Sequence, residues 1–393
     1  MKIALQQTYL SNVIAKVVGG LRICFISDVH LGHPRTPTYQ IITNLNKYVC
    51  NVTAMNDFDA IIVSGDLFDM LLTLPSMEVD LIDKWIYELL RLSVKTNTPI
   101  RVLEGTPSHD WKQSRRLMSI NETYAIDADV QFIDTLSIVE DKTLGLTIGY
   151  VPDEWSESCD ETTSQWKDLM ATRGYDKVDL IVMHGMFEFQ VPTAAAKAIS
   201  HFKEYEWAPM ARYGIVIGHD HRHKSKLNIV VPSSFERLAH NEEEHKGYLI
   251  MDIYHDTVAV THVINEDAMK YKTVGDINMS DTEIISRVEK LLTEFGKMDE
   301  PLGRIKVKYN KKYDISHKLK EWRDAFTAVI VEAASETETI DRVTMDSEFT
   351  LKGEVINISP DNISGMILRE INAEDDPMLD GLRSEIEHIQ SLL

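Results

Sequence analysis

Residues 21–30 read LRICFISDVH. A β-branched and apolar run opens the stretch, and Asp28 and His30 close it, two positions apart. On extended backbone, positions i and i+2 point to the same side, so a carboxylate and an imidazole placed there can share one cation. The same grammar recurs along the chain: AIIVSG (60–65) before Asp66, PIRVLEG (99–105) before the His109 segment, VDLIVM (178–183) before His184, and YGIVIG (213–218) before His219. Apolar runs alternating with helix-spaced segments are α/β chemistry. In open α/β sheets the loops beyond the carboxyl ends of the strands form the ligand crevice, which predicts that these loops meet at one edge. GYLIMDI (247–253) and VAVTHVI (258–264) then read as a hairpin closing the layer.

Each ligand candidate has an ordinary reading when taken singly. A lone Asp-x-His is weak, Asp66 behind Gly65 fits a helix N-cap, and His184 or His219 alone fits a satisfied polar residue. The set carries more. Asp28, His30, Asp66, His184, His219 and His221 occupy four separate strand-end loops, and only the fold could gather them into a metal site. Two divalent ions, roughly 3.5–4 Å apart in such sites, clamp a phosphate, lower the pKa of a bridging water and stabilise the attacking and departing oxygens. Imidazole and carboxylate without thiolate suit manganese, iron or zinc better than calcium or magnesium.

The order DVH, GDLFD, GTPSHD, MHG, GHDH resembles the calcineurin-like metallophosphoesterase superfamily, whose pattern is D-x-H, G-D, G-N-H-D, a single His, then G-H-x-H. A second stretch, VPSSFERLAHNEEEHKGYLIMDI (231–253), resembles the segment after the metal site in SbcD/Mre-type nucleases of double-strand-break repair. The resemblance implies an α/β fold, a two-layer β-sandwich flanked by helices, with a smaller α+β capping domain and a C-terminal helix. It implies two divalent metal ions, manganese above all. Asp28, His30 and His221 would bind one ion, His184 and His219 the other, and Asp66 would bridge them. His109 would be the catalytic histidine that is not a ligand, stabilising the leaving oxygen or the transition state. Where the family has Asn before this His, the sequence has Ser108, and Thr106 and Pro107 stand between Gly105 and Ser-His-Asp. Ser108 is therefore expected to be a weaker, shorter-reaching ligand of the second ion.

Around the ligands, Asp69 and Asp110 can orient them or cap helices, and His33 and His223 read as solvated loop residues. Trp111, Arg115 and Arg116 follow His109: an aromatic with two cations can stack a base and hold a backbone. A helix with Trp inward and Arg outward is the plainer alternative.

The 393 residues exceed one ordinary domain, and 44% apolar with 26% charged residues excludes collagen-like and largely disordered classes. Cys24, Cys50 and Cys159 form no CxxC, so a reducing compartment is expected. Neither a signal-peptide core in residues 1–20 nor a membrane-length apolar run is present, and the protein reads as cytoplasmic without a membrane partner. A formal charge of −21 argues against coating nucleic acid with the whole surface, yet leaves room for a local basic site.

The expected domains are an N-terminal extension (1–20), a nuclease domain (21–271), a capping and DNA-binding domain (272–370) and an acidic linker with a C-terminal helix (371–393). Ser280 or Asp281 reads as the N-cap of TEIISRVEKLLTEF (282–295). GRIKVKYNKKYD (303–314) alternates as a strand, with Lys306 and Lys308 on the face opposite Ile305 and Val307. From Arg304 to Arg323 eight Lys or Arg face two acids, a strip suited to a DNA backbone. Residues 314–334 read as a helix with Ile315, Leu319, Trp322 and Phe326 in its core, and TIDRVTMDSEF (339–349) as a strand. From Val331 onward 15 acids outnumber four bases, so much of the negative charge lies away from the strip. Leu379, Leu382, Ile386, Ile389 and Leu393 form a terminal stripe that packs on its own domain or, as the resemblance implies, docks an SbcC/Rad-type ATPase.

The sequence thus points to a metal-dependent DNA nuclease, with exonuclease and endonuclease action and homodimer formation left open. The rivals are a phosphomonoesterase or cyclic-nucleotide phosphodiesterase using the same metals, and a non-catalytic module whose weakened metal site holds a partner.

Overall fold

The computed structural model describes residues 20–74, 76–191, 199–276, 278–295, 303–310, 315–326 and 329–335. Four strands, β1 (Leu21–Ile26), β2 (Ala60–Ser64), β3 (Ile100–Leu103) and β4 (Val130–Ile133), lie parallel in that order. Their apolar runs are nearly continuous because both faces of the sheet are covered. A second sheet holds β5 (Ser137–Asp141), β6 (Leu146–Val151), β7 (Val178–His184), β8 (Ala211–Gly218), β9 (Lys224–Lys226) and β10 (Ile229–Val231), in the order β5-β6-β7-β8-β10-β9. Its middle strands β6, β7, β8 and β10 are parallel and the two edges antiparallel. The expected hairpin is β11 (Gly247–Tyr254) and β12 (Thr257–Ile264), which extends the first sheet antiparallel to β1.

The sheets share one core. Phe25, Ile62 and Leu103 of the first pack with Ile148, Leu180, Val182 and Val216 of the second. The outer face of the first sheet, with Ile61, Val63 and Val102, meets the helices Thr38–Tyr48 and Met77–Thr96. On the far side, Ile181, Met183 and Ile215 cover Trp166, from the helix Cys159–Arg173, and Trp207. Alternate residues of the central strands enter different cores, so the layering is helix, sheet, sheet, helix. The α/β expectation holds, and the layering is that of a two-layer sandwich.

A third sheet follows: β13 (Lys270–Val274), β14 (Gly303–Tyr309) and β15 (Val329–Ser335), all parallel. The helices Asp281–Phe295 and Ser316–Ala325 both cover one face, burying Ile284, Val288, Leu292, Leu319 and Trp322 on Ile305, Val307, Val329 and Val331. Ser280 Oγ accepts the Glu283 N–H, which makes Ser280 the cap. The expected boundary at 271/272 falls inside β13. The helix expected over 314–334 is too long: it stops at Ala325, and Val329-Ile330-Val331 alternates buried, exposed, buried as a strand. Successive β-branched side chains favour the pleated surface over a helical turn. The extension before Gly20, the strand expected at 339–349, the acidic linker and the terminal docking stripe lie outside the described residues.

No helix among the described residues is long and apolar enough to cross a membrane, and all three cysteines are free thiols. A buried cation joins the two large sheets: Arg101 on β3 is 1% exposed and donates from Nε to Asp141 Oδ2 at 2.7 Å, at the end of β5. Its other nitrogens reach Asp129 at 2.8 and 3.1 Å. Arg101→Ala would leave Asp141 buried without its partner, and is expected to cost about 3–5 kcal/mol in urea unfolding. A loss below about 1 kcal/mol would contradict this role.

Candidate metal centre

The carboxyl ends of β1, β2, β3, β7 and β8 converge where the two large sheets meet, and each contributes a polar loop residue. Small residues make the approach possible. A Cβ on Gly65 would lie 2.1 Å from His184 Nδ1, and one on Gly218 would lie 2.0 Å from Ser27 Oγ, so any larger residue pushes the strand ends apart. Backbone strain concentrates here too, with positive φ at Asp28 (50°), His30 (54°), Asp66 (49°) and His219 (99°). Non-glycine residues adopt such angles at a cost of about 1–3 kcal/mol each, and do so mainly at functional sites.

Three overlapping groups result, each with one ligand atom per residue within 4.8 Å of the others: Asp28, His30 and His221; His30, Asp66 and His109; Asp66, His184 and His219. Asp66 sits at the centre, 1% exposed. Its Oδ1 accepts the Thr106 N–H at 2.6 Å and lies 3.3 Å from His184 Nε2. Its Oδ2 lies 2.9 Å from His109 Nδ1 and 3.8 Å from His30 Nε2. Burial by itself would raise this carboxyl, yet the surrounding imidazoles His184, His109 and His30 hold it well below the ordinary range. Asp28 is fully buried and accepts the His219 N–H at 3.0 and 3.2 Å.

Two of the histidines are aimed by a hydrogen-bond acceptor, and a third has a carboxylate beside it. His184 Nδ1 lies 2.7 Å from Ser64 O, and a carbonyl can only accept, so Nδ1 donates there and Nε2 is the nitrogen left facing inward. That Nε2 is buried without a hydrogen-bond partner, as suits a nitrogen that can bind a cation. Asp69 Oδ1 is 3.1 Å from His30 Nδ1, and Glu242 Oε1 is 2.7 Å from His221 Nδ1. His30 and His221 then face each other, Nε2 to Nε2, at 3.2 Å. Burial opposes a charge on His221, but Glu242 and Asp28 push its pKa up to about 9. Glu242 is in turn held by the fully buried Lys246, with Nζ 3.1 Å from Oε2, and by the Leu238 N–H. These donors fit divalent cations: imidazole nitrogens beside buried carboxylates.

Asp28, His30, Asp66, His109, His184, His219 and His221 thus come together. His109 is within ligand distance of His30 and Asp66 as well, but its ring is 39% exposed and its Nδ1 is committed to a carboxylate. Ser108 is elsewhere. It lies exposed on the short helix Pro107–Asp110, where its carbonyl takes the Trp111 indole N–H at 2.7 Å. The hydroxyl that enters the cluster is that of Thr106, which lies 3.3 Å from Asp66 Oδ2 and 3.3 Å from His219 Nδ1. The helix starts at Pro107 and carries Ser108 outward, whereas Thr106 ends the loop behind β3. Asp110 binds the loops together, accepting the Phe68 and Gly105 N–H groups at 2.8 and 2.7 Å.

The expected substrate cations are differently placed. Arg116 forks onto Asp83, and Arg115 shares Asp134 with Lys112. Trp111 is turned outward, 53% exposed. Lys306 and Lys308 lie half-buried on the helix-free face of β14, where Arg304 also donates to Arg35 O and to Glu332. His33 is a turn residue whose Nδ1 accepts the Arg35 and Thr36 N–H groups, and His223 stacks on His262. Two functional neighbours escaped sequence reading. Glu242 is one of three consecutive glutamates and only the fold selects it. Asp153 follows the apolar run of β6 as the ligands follow theirs, and this repetition was the available signal.

No family model matches the chain, and no curated protein matches it. Solved structures do: TT1561 of Thermus thermophilus is 13% identical, covers 62% of this chain and 99% of its own, and superposes with a TM-score of 0.37. A second solved structure is 12% identical over the same shares, with a TM-score of 0.35. Likeness at this level adds nothing to the chemistry, which rests on the side chains themselves.

A cation entering this site must displace the proton that Glu242 and Asp28 hold on His221 at neutral pH. Calorimetric titration of Mn2+ at pH 7 in buffers of different ionisation enthalpy is expected to show release of about one to two protons. Equal apparent enthalpies in all buffers would contradict the assignment.

Proposed function

We infer that this chain is a metal-dependent phosphoester hydrolase acting on DNA, a nuclease of the SbcD/Mre type that uses two Mn2+ ions. The observation that carries the reading is Asp66, one buried carboxylate shared by two groups of potential ligands, with His109 beside it. Together with the motif order of the calcineurin-like phosphoesterases, it supports phosphoester chemistry; the 231–253 segment supports DNA as substrate.

Two divalent ions held there would neutralise a phosphate and acidify a water for in-line attack. The chain's own residues do the rest. His184 and His221 are held in single ring orientations by Ser64 and Glu242, and Asp69 lies 3.1 Å from His30 Nδ1. The hydrogen bond to Asp66 raises the His109 pKa above the usual imidazole value, which favours the protonated ring. With Nδ1 engaged, Nε2 is the atom from which a proton can pass to the departing oxygen. Trp111, two residues on and exposed, offers a face for a base to stack on. Lys306 and Lys308 are the proposed backbone contacts. The pairing of Arg115 and Arg116 with Asp134 and Asp83 favours the rival, a phosphomonoesterase or cyclic-nucleotide phosphodiesterase, because it neutralises cations that DNA would use.

The full chain with Mn2+ should cleave single- or double-stranded DNA, and His109→Gln should lower kcat by about 10²–10⁴-fold with metal affinity retained. Turnover of small aryl phosphate esters alone would sink the nuclease reading. Trp111→Ala is expected to raise KM for DNA several-fold and to leave aryl ester KM unchanged. Equal changes on both substrates would remove the stacking role.

A further inference from the structure

The group of Asp66, His184 and His219 lacks the amide that the resemblance leads one to expect, since Ser108 faces outward. Something else occupies its surroundings. Asp153, the second residue after β6, is 14% exposed and places Oδ2 3.5 Å from His219 Nδ1 and 3.1 Å from Thr106 Oγ1. Its Oδ1 accepts the Glu154 N–H at 3.0 Å, which fixes the carboxylate's rotation. Gly185, directly after His184, keeps room for it: a Cβ there would lie 3.2 Å from Asp153 Oδ1.

Thr106 Oγ1 lies between Asp66 Oδ2, Asp153 Oδ2 and His219 Nδ1, and with its one proton it can donate to only one of the two carboxylates. Close by, His184 Nε2, on a fully buried ring, has no hydrogen-bond partner and points at Asp66 Oδ1 from 3.3 Å. A buried imidazole nitrogen without a hydrogen-bond partner, beside two carboxylates and a second imidazole around one hydroxyl, is an environment that suits a divalent cation.

We propose that Asp153 is a carboxylate ligand of the ion held by Asp66, His184 and His219, with Thr106 at its side, in the place where an amide is absent. The proposal rests on reading the cluster as a metal centre and not on nuclease activity. A charged ligand changes the character of the position. Compared with a neutral amide it adds one negative charge to the shell of this ion, so it offsets the loss of reach at Ser108.

The test is Mn2+ titration of the full chain by calorimetry, with electron paramagnetic resonance at two equivalents to read coupling between paired ions. Wild type is expected to take two ions and show a coupled spectrum. Asp153→Ala should weaken the second ion by at least tenfold and remove the coupling, while the first ion binds as before; Asp153→Asn, which keeps shape and a neutral oxygen, should fall between. Ser108→Ala should bind as wild type does. Circular dichroism melts of each variant separate loss of a ligand from loss of fold, and Asp153→Asn carries the test should Asp153→Ala not fold. Two coupled ions in both Asp153 variants at wild-type affinity would overturn the proposal, as would loss of the second ion in Ser108→Ala. Wild type that takes up no Mn2+ would overturn the metal reading itself, a different result from normal first-ion binding with Asp153 indifferent.

Discussion

One buried carboxylate sets the terms for the rest of this molecule. Asp66 lies at the junction of two sheets, almost out of reach of water, with three imidazoles and a backbone N–H around it. An ionised group in such a place is costly unless opposite charge and hydrogen bonds surround it. The arrangement that provides them requires the ends of β2, β3 and β7 to approach more closely than side chains normally permit. Gly65, Gly105 and Gly218 remove the Cβ atoms that would prevent it. The left-handed backbone at Asp28, His30, Asp66 and His219 turns the ligands inward, and this strain is sustained because the strands leading into it are locked in a shared core. Rigid sheets with strained loops are a common way to hold a reacting site in one geometry.

The outer contacts extend the same logic. Two histidines of the cluster are aimed by hydrogen-bond acceptors, a backbone carbonyl for His184 and Glu242 for His221, and Asp69 lies 3.1 Å from His30 Nδ1. Lys246, with no exposed surface, fixes Glu242 and also donates to the His221 carbonyl at 2.7 Å. The segment 231–253 therefore has a structural task beside the His and Asp cluster. Glu236 in it accepts from Asn44, from Asn265 at 3.0 Å and from the Met269 N–H at 2.8 Å, tying the loop to the helix Thr38–Tyr48 and to the entry of the third sheet. Burial pushes its carboxyl up to about 7.

Most of the site was legible because its residues follow one repeated pattern, an apolar strand ending in Asp or His. That pattern located Asp28, Asp66, His184 and His219 at strand ends and the hairpin of β11 and β12. What it could not supply was the direction of side chains in loops. Ser108 and Thr106 are two residues apart, and the Pro107 helix start decides which hydroxyl faces the cluster. Glu242 needed the third dimension, since proximity across 21 residues leaves no trace in local spacing. The helix predicted across 314–334 failed for a related reason. An apolar sequence such as AVIV suits either element until the neighbouring strand, here β14, offers it a ladder.

The central claim is that Asp66 is shared between two cations. Crystals grown with Mn2+ and measured at the manganese absorption edge test it directly. The account predicts two anomalous peaks about 3.5–4 Å apart, one beside Asp28, His30 and His221 and the other beside His184, His219 and Asp153, with Asp66 between them. An ordered site with no peak near Asp66, or with peaks only elsewhere on the protein, would contradict it.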